Sequence, residues 1–470
     1  MLTRRIIGIA GISLWAGLIV IAAAKGFAGD NAEPAKKAVQ GAEAEPKSIE
    51  TLAKDLVSAL ASGDCKKATE NFDETMKKAL PAEKLQEAWN SLIAQFGPFV
   101  EQAGTLREKV LQYDVIFVTC KFEKGALDAK IVFDGNKQIA GLFFVPAKVS
   151  APEKPADLVS SDVFSEKEVR VGTGQLALPG TLTLPKGQGP FPAVVLVHGS
   201  GPQDRDETIG PSKPFRDLAH GLASRGIAVL RYEKRTKAFP IQMAAIKNTL
   251  TVKEEVVDDA LAAAALLRES SQIDPNKVFV LGHSLGGYLI PRIGKGDSKI
   301  AGFIIMAGTA RPVEDVVLEQ FTYVFSLDGV ITDTEKTSLE QLKSQVAKVK
   351  DPQLSPETAA ADLPLGVPAA YWLDLRGYQP AEVAKELTQP MLIMQGGRDY
   401  QVTEADFQLW KKTLSSQKNV EFKFYEGLNH LFVEGQGKST PAEYEQAGHI
   451  AEAVIGDIAG WISRQAASPL

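Results

Sequence analysis

Apolar residues along this chain follow two different rhythms. Between Ser48 and Pro146 they recur first at helical spacing and then in alternation. This predicts two or three helices (Ser48–Ala61, Cys65–Asn71 running on toward Lys77, and Pro81–Phe96) followed by strands over Gly104–Gln112, Tyr113–Phe122, Ala126–Phe133 and Gln138–Val145. Asp134-Gly135-Asn136 supplies the turn chemistry of a hairpin between the last two. The implied unit is a small α+β cone. From Phe164 onward short apolar runs alternate with amphipathic helices, the pattern of a mostly parallel sheet covered on both faces. An antiparallel pair, Glu168–Gly172 and Leu176–Leu184, comes first. Strands over Ala193–His198, Ala228–Arg231, Val278–Leu281, Gly302–Ala307, Met391–Gln395 and Val420–Tyr425 then interleave with helices over Pro214–Ser224, Val252–Glu269 and Leu285–Gly294. A terminal helix is expected from Pro441 to Arg464.

Three stretches break both rhythms. Residues 29–47 are rich in Ala, Glu, Lys and Pro and read as a solvated tether. Residues 147–163, with Pro152 and Pro155, read as a linker between the cone and a second domain over residues 164–466. From Arg311 to Leu387 no buried strand is evident, only helical segments such as Asp333–Val349 separated by prolines, and an insertion forming a lid is expected there. Within it Tyr371, Trp372 and Leu373 either line an acyl pocket or form the insertion's own packing core.

Composition changes the picture in three ways. The 470 residues, 44% of them apolar, exceed what one hydrophobic core commonly supports. A net charge of -6 without an internal basic stretch excludes a nucleic-acid footprint and points to a small or neutral substrate. The N-terminus joins Arg4-Arg5 to an apolar run ending near Ala24, an export signal within residues 1–28 that is either cleaved or kept as a membrane anchor. The bulk of the chain is therefore expected outside the cytoplasm, where the two cysteines, Cys65 and Cys120, are either separate buried thiols or a disulfide.

The chemistry concentrates at Gly282-His283-Ser284-Leu285-Gly286, which follows the apolar run Lys277–Leu281 directly. By itself G-x-S-x-G arises by chance in roughly 0.2 chains of this length. After a strand and before a helix it is a nucleophile elbow, whose sharp reversal strains the serine backbone and leaves no room for side chains two positions away. A serine hydroxyl requires a base, and the base requires an orienting acid. In the order Ser, acid, His only His430 and His449 follow; His430 lies in the loop leaving the last strand, whereas His449 falls within the expected terminal helix. His220 is likewise assigned to a helix, and His283 to shaping the turn. Asp399, in Gly396-Gly397-Arg398-Asp399 after its strand, is the orienting acid, with Asp315 a remote substitute. Two oxyanion donors are expected from the backbone of Leu285 and of Ser200, with Gly199 as the fallback for the second. The charged run Gln203–Glu207 is either a solvated, salt-bridged loop or part of substrate recognition. Arg231–Arg235 is expected to tie loops together. No metal-ligand set accompanies these residues, and no cofactor is expected.

With these residues placed, Phe164–Arg464 resembles the α/β hydrolase superfamily, and His198–Asp206 together with Leu230–Arg235 resemble bacterial EstD-type carboxylesterases. The resemblance implies hydrolysis of short acyl esters through an acyl-enzyme, without a cofactor. It also implies that residues 48–146 are an accessory domain similar to a cystatin-like cone. Serine peptidases share the same triad, and a binding protein on a retired scaffold is the reading from another class.

Overall fold

A computed structural model describes residues 48–110, 113–123, 125–146 and 162–467. The expected export segment and tether lie outside the described residues, as does the linker apart from its last two positions. The described residues fall into two compact units, one spanning 48–146 and the other 162–467.

In the first unit, helices Ile49–Ala61, Cys65–Ala68, Glu74–Ala79 and Ala82–Phe96 precede four strands: β1 (Phe99–Val110), β2 (Tyr113–Phe122), β3 (Gly125–Phe133) and β4 (Ile139–Pro146). These form one antiparallel sheet in sequential order. Ser48, Asp64 and Asp73 cap the first three helices by accepting the backbone N–H three residues on. In the hairpin, Asp134 Oδ1 accepts from the N–H groups of Asn136 and Gln138. The first strand begins five positions before the expected Gly104, because Phe99 is drawn inward to Trp89, 5.8 Å between ring centroids, and to Phe122. Cys65 and Cys120 are both buried free thiols, not a disulfide. Burial pushes the Cys120 thiol up to about 12.

The second unit is an eight-stranded sheet with the order β12-β11-β10-β9-β7-β8-β6-β5. Here β5 is Phe164–Val171, β6 Leu178–Pro185, β7 Phe191–Val197, β8 Ala228–Tyr232, β9 Ile273–His283, β10 Gly302–Met306, β11 Met391–Gly396 and β12 Val420–Tyr425. Only β5 and β6 run antiparallel to their neighbours. Every pair from β8 through β7 and β9 to β12 is parallel. Alternation along the central strands divides the core. Val194 and Leu196 of β7 with Phe279 and Leu281 of β9 pack under helices Pro214–Ala223 and Glu452–Ala467. Val195, Val197, Val278 and Val280 face the opposite layer, which includes Tyr288 and Trp410. The strand after β7 in sequence lies on one side of it and β9 on the other. This is a switch point, and a crevice opens there beyond the strand ends.

Residues 307–390 contain no strand; helices Val313–Ser326, Asp333–Lys350, Ala369–Leu375 and Pro380–Ala384 occupy them. Asp406, fully buried, roots the insertion by accepting from Thr309 Oγ1 at 2.7 Å and from the N–H of Ala310 at 3.0 Å. Trp372 packs with Val349, Leu354, Leu363 and Val367, so the aromatic cluster is the insertion's own core. Tyr371 packs against that core and against the main one, while its hydroxyl donates to Glu255.

The expected terminal helix is two elements, a 3₁₀ turn over Pro441–Glu445 and a helix over Glu452–Ala467. Between them the backbone donors go elsewhere: Gly448 to Ser212 Oγ, Ile450 to Asp217, Ala451 to the Phe432 carbonyl. His449 is therefore not in a helix; it is an exposed side chain with Nδ1 3.1 Å from Asp217.

At the turn after β9 two glycines are required by contact. A Cβ on Gly282 would lie 2.4 Å from the Gly286 carbonyl, and one on Gly286 would lie 2.3 Å from the Val197 carbonyl oxygen. Gly286→Ala should destabilise the unit by at least about 2 kcal/mol in urea unfolding, because main chain on both sides must move. Gly456→Ala, in a helix where a Cβ meets nothing within 4 Å, should instead stabilise it by up to about 1 kcal/mol.

Candidate active site

Ser284 takes φ 53° and ψ -117°, a conformation only an over-determined turn holds for a residue with a side chain. Its N–H donates to the Met306 carbonyl at 2.9 Å and its carbonyl accepts from Tyr288 N–H at 2.9 Å, so both ends of the residue are tied to neighbouring elements. The side chain sits half-buried at the start of helix Leu285–Gly296, beside Gly199, whose added Cβ would come within 3.6 Å of Oγ.

Asp399 and His430 meet as expected from their loops. His430 Nδ1 lies 2.7 Å from Asp399 Oδ2, with both side chains buried. The ionised carboxylate only accepts, so Nδ1 carries the proton and Nε2 keeps its lone pair. Asp399 is itself held by three further donors: the N–H groups of Gln401 (2.8 Å) and Val402 (3.0 Å) on Oδ1, and Gln395 Nε2 (3.0 Å) on Oδ2. Arg398 turns away to the carbonyls of Gln436 and Gly437 and to Glu443. Asp315 lies in the first turn of helix Val313–Ser326 and pairs with Lys350, not with His430. The His430 loop is shaped by Asn429, whose Oδ1 accepts from Leu431 at 3.0 Å and Val433 at 3.1 Å. Among the described residues Ser284 Oγ makes no hydrogen bond to His430. In enzymes without bound substrate a hydroxyl–imidazole hydrogen bond at the site is often long or poorly aligned.

His283 joins the two halves, a role its place in the elbow did not reveal. Its Nε2 donates to the His430 carbonyl at 3.0 Å, and the two rings lie 4.7 Å apart. Its Nδ1 lies 2.9 Å from Glu207 Oε2, at salt-bridge distance though out of line for a regular hydrogen bond. Burial disfavours charge on His283, but the Glu207 carboxylate outweighs it and raises the imidazole above its usual range. Glu207 in turn is lowered, burial being outweighed by His283 and by its bond to a backbone amide. Glu207 is fully buried with φ 51° and accepts from the Gly199 N–H at 2.6 Å. It is therefore neither solvated nor a recognition group.

That bond distinguishes the two backbone donors of this loop. Gly199 N–H is occupied, whereas neither Ser200 N–H nor Leu285 N–H has a backbone acceptor among the described residues. The rest of the charged run does tie loops together: Arg205 to Glu233 and Glu168, and Arg231 to Asp206 and Glu166. No cluster of three or more metal-ligating side chains occurs among the described residues.

Residues 189–436 match the family described as serine aminopeptidase, S33. The chain belongs to this family of α/β hydrolases. Residues 53–142 match a family of proteins of unknown function, DUF3887. The chain is 44% identical over 408 residues to Esterase EstD of Thermotoga maritima, covering 86% of this chain and 93% of that one. Among solved structures it resembles Est1E from Butyrivibrio proteoclasticus, at 15% identity over 64% of this chain and 99% of that one, with a TM-score of 0.42. It also resembles a puromycin-hydrolyzing peptidase of Mycobacterium tuberculosis, at 15% identity over 79% of this chain and 48% of that one, again at 0.42. In the S33 family hydrolysis proceeds through a serine acyl-enzyme, the chemistry for which an elbow serine is built.

His198, where β7 ends, stacks near Phe215 and edge-on to Tyr232, and burial pushes it down to about 4 against the opposing charge of Glu207. Its folded value lies below its unfolded one, so the unfolded chain binds the extra proton first as pH falls. Stability from this group is full above about pH 6.5 and is lost toward pH 4, about 3 kcal/mol in all. Urea unfolding at pH 7 and pH 4.5 should show a smaller drop in His198→Gln than in the unaltered chain; equal drops would show that His198 is not buried in neutral form.

Proposed function

We propose that this chain is an extracytoplasmic serine carboxylesterase acting on small acyl esters, with Ser284 as nucleophile, His430 as general base and acid, and Asp399 as the orienting carboxylate. The single observation that carries the triad is the buried 2.7 Å bond from Asp399 to His430 Nδ1, which leaves Nε2 free to take a proton. The likeness to Esterase EstD across most of both chains supports the ester over the amide as substrate.

The steps follow from these groups. Ser284 Oγ attacks the ester carbonyl while its proton passes to His430 Nε2. The imidazolium is stabilised by Asp399, whose three other donors keep its orientation. The N–H groups of Ser200 and Leu285 take the developing oxyanion, an interaction whose loss typically costs on the order of 100-fold or more in rate. Collapse of the tetrahedral intermediate expels the alcohol, which takes the proton from His430. Water then enters by the reverse route and releases the acid. No cofactor takes part in this scheme. The Arg4-Arg5 pair and the apolar run after it support export of the chain, by a cleaved signal or a retained anchor.

A fluorophosphonate probe should label the purified protein and leave Ser284→Ala unlabelled. Equal labelling of both would sink the assignment of Ser284, and labelling of neither would favour a binding protein on a hydrolase scaffold. Asp399→Asn should lower kcat on short esters by roughly 10³- to 10⁴-fold, because the wrong tautomer then faces Ser284. Turnover of matched esters and amides separates esterase from peptidase; amides cleaved as efficiently as esters would overturn the ester assignment.

A further inference from the structure

Lys234 stands apart from the charged residues around it. Arg231, Arg205 and Arg235 all pair with carboxylates that tie neighbouring loops and helices. Lys234, buried where β8 ends, instead donates from Nζ to the main-chain carbonyl of Gly199 at 2.8 Å. Its own N–H donates to the Gln203 carbonyl at 3.1 Å, so its backbone and side chain both engage the loop that follows β7. The ammonium is balanced by Glu255 Oε1 at 3.1 Å, also buried, and Glu255 Oε2 accepts from the Tyr371 hydroxyl at 2.7 Å. Glu255 projects from a π-helical turn, Lys253–Val257, an irregularity that often marks a functional position. A buried charge is costly unless paired, and this pair is directed at one peptide group.

The geometry of that peptide gives the arrangement its meaning. In a trans peptide the carbonyl of one residue and the N–H of the next share a plane and point in opposite directions. Gripping the Gly199 carbonyl therefore aims the Ser200 N–H away from Lys234. The preceding peptide is fixed independently, because the Gly199 N–H is taken by Glu207. Gly199 is thus held on both sides by buried charges of opposite sign, while it packs against Ser284. A charged donor on the carbonyl also polarises the amide, making its N–H a stronger donor.

We propose that Lys234, balanced by Glu255 and Tyr371, is a positioning residue of the oxyanion hole that orients and polarises the Gly199–Ser200 peptide so that Ser200 N–H meets the developing negative charge. This rests on the reading of Ser284 as nucleophile and Ser200 as oxyanion donor. Tyr371 belongs to the helical insertion, so the seating of that insertion and the orientation of the donor are linked through one carboxylate.

The test uses the full chain carrying Lys234→Met together with Glu255→Gln, which removes both buried charges at once and leaves neither unpaired. Hydrolysis of a short ester should show kcat lowered roughly 10- to 100-fold with KM within about twofold. A trifluoromethyl ketone, which forms a tetrahedral adduct on serine, should bind more weakly by the same factor, a parallel that a merely structural role would not produce. Should this variant fail to fold, Lys234→Arg keeps a cation beside Glu255 but presents a planar fork in place of a point donor, and the same parallel loss is expected. An unchanged kcat, a loss confined to KM, or a lower kcat with ketone affinity retained would overturn the proposal. Ser284→Ala, measured alongside, separates the two readings: if it is inactive while the Lys234 variant is unimpaired, only the role of Lys234 falls. If Ser284→Ala still turns over ester, the nucleophile assignment falls and this proposal with it.

Discussion

How closely the helix beginning at Leu285 approaches the end of β7 governs everything at the site. Gly286 has the Val197 and His198 carbonyls against it, and Gly282 has the Gly286 carbonyl against it, at distances no Cβ tolerates. That approach turns the chain sharply enough to hold Ser284 at positive φ and brings the loop after β7 alongside it. Parallel pairing of β7 with β9, from Ala193 opposite Val278 to Val197 opposite Gly282, sets the level at which the two strand ends meet. A coarser packing of helix on strand would leave Ser284 and the loop after β7 out of reach of each other.

Charge is used at the site in compensated pairs. Beside the Asp399 carboxylate, which accepts from His430 Nδ1 and from three further donors, Glu207 with His283 and Lys234 with Glu255 are buried pairs that each reach a piece of backbone as well. Such pairs add little net stability, since the cost of removing ions from water offsets most of their attraction. What they gain is direction. Gly199 is held from both sides, the His430 carbonyl is held by His283, and Asp399 is held by three donors besides His430. Arg–carboxylate pairs farther out, such as Arg205 with Glu168, join β5 to the same loop without touching these groups.

Much of this was legible in the sequence. The buried strands declare themselves as continuous apolar runs, and the order of Ser284, Asp399 and His430 follows from which loop leaves which strand. The roles of Glu207, His283 and Lys234 were not legible, because burial of a charged residue is decided by distant partners. In sequence Glu207 ends a run that looks solvated, and Lys234 sits among arginines and glutamates that do tie loops. The π turn carrying Glu255 hides inside a continuous helical pattern. The break before Glu452 is hidden in the sequence for a related reason: the N–H donors of Gly448, Ile450 and Ala451 are satisfied by Ser212, Asp217 and Phe432, more than two hundred residues away for the first two. The early start of β1 depended on Trp89, whose ring organises Phe99, Phe122 and Phe144 around it.

The two cysteines of the first unit carry a different kind of consequence. Cys65 donates to Gln86 and Cys120 to the Val118 carbonyl, both within a core built from Trp89 and its neighbours, and burial holds each thiol in its protonated form. Oxidative folding contributes nothing to this unit: no bond must form between sulfurs, and neither sulfur is poised to be captured by another. With both sulfurs as buried free thiols, the native packing of this unit is the same whether its surroundings are reducing or oxidising.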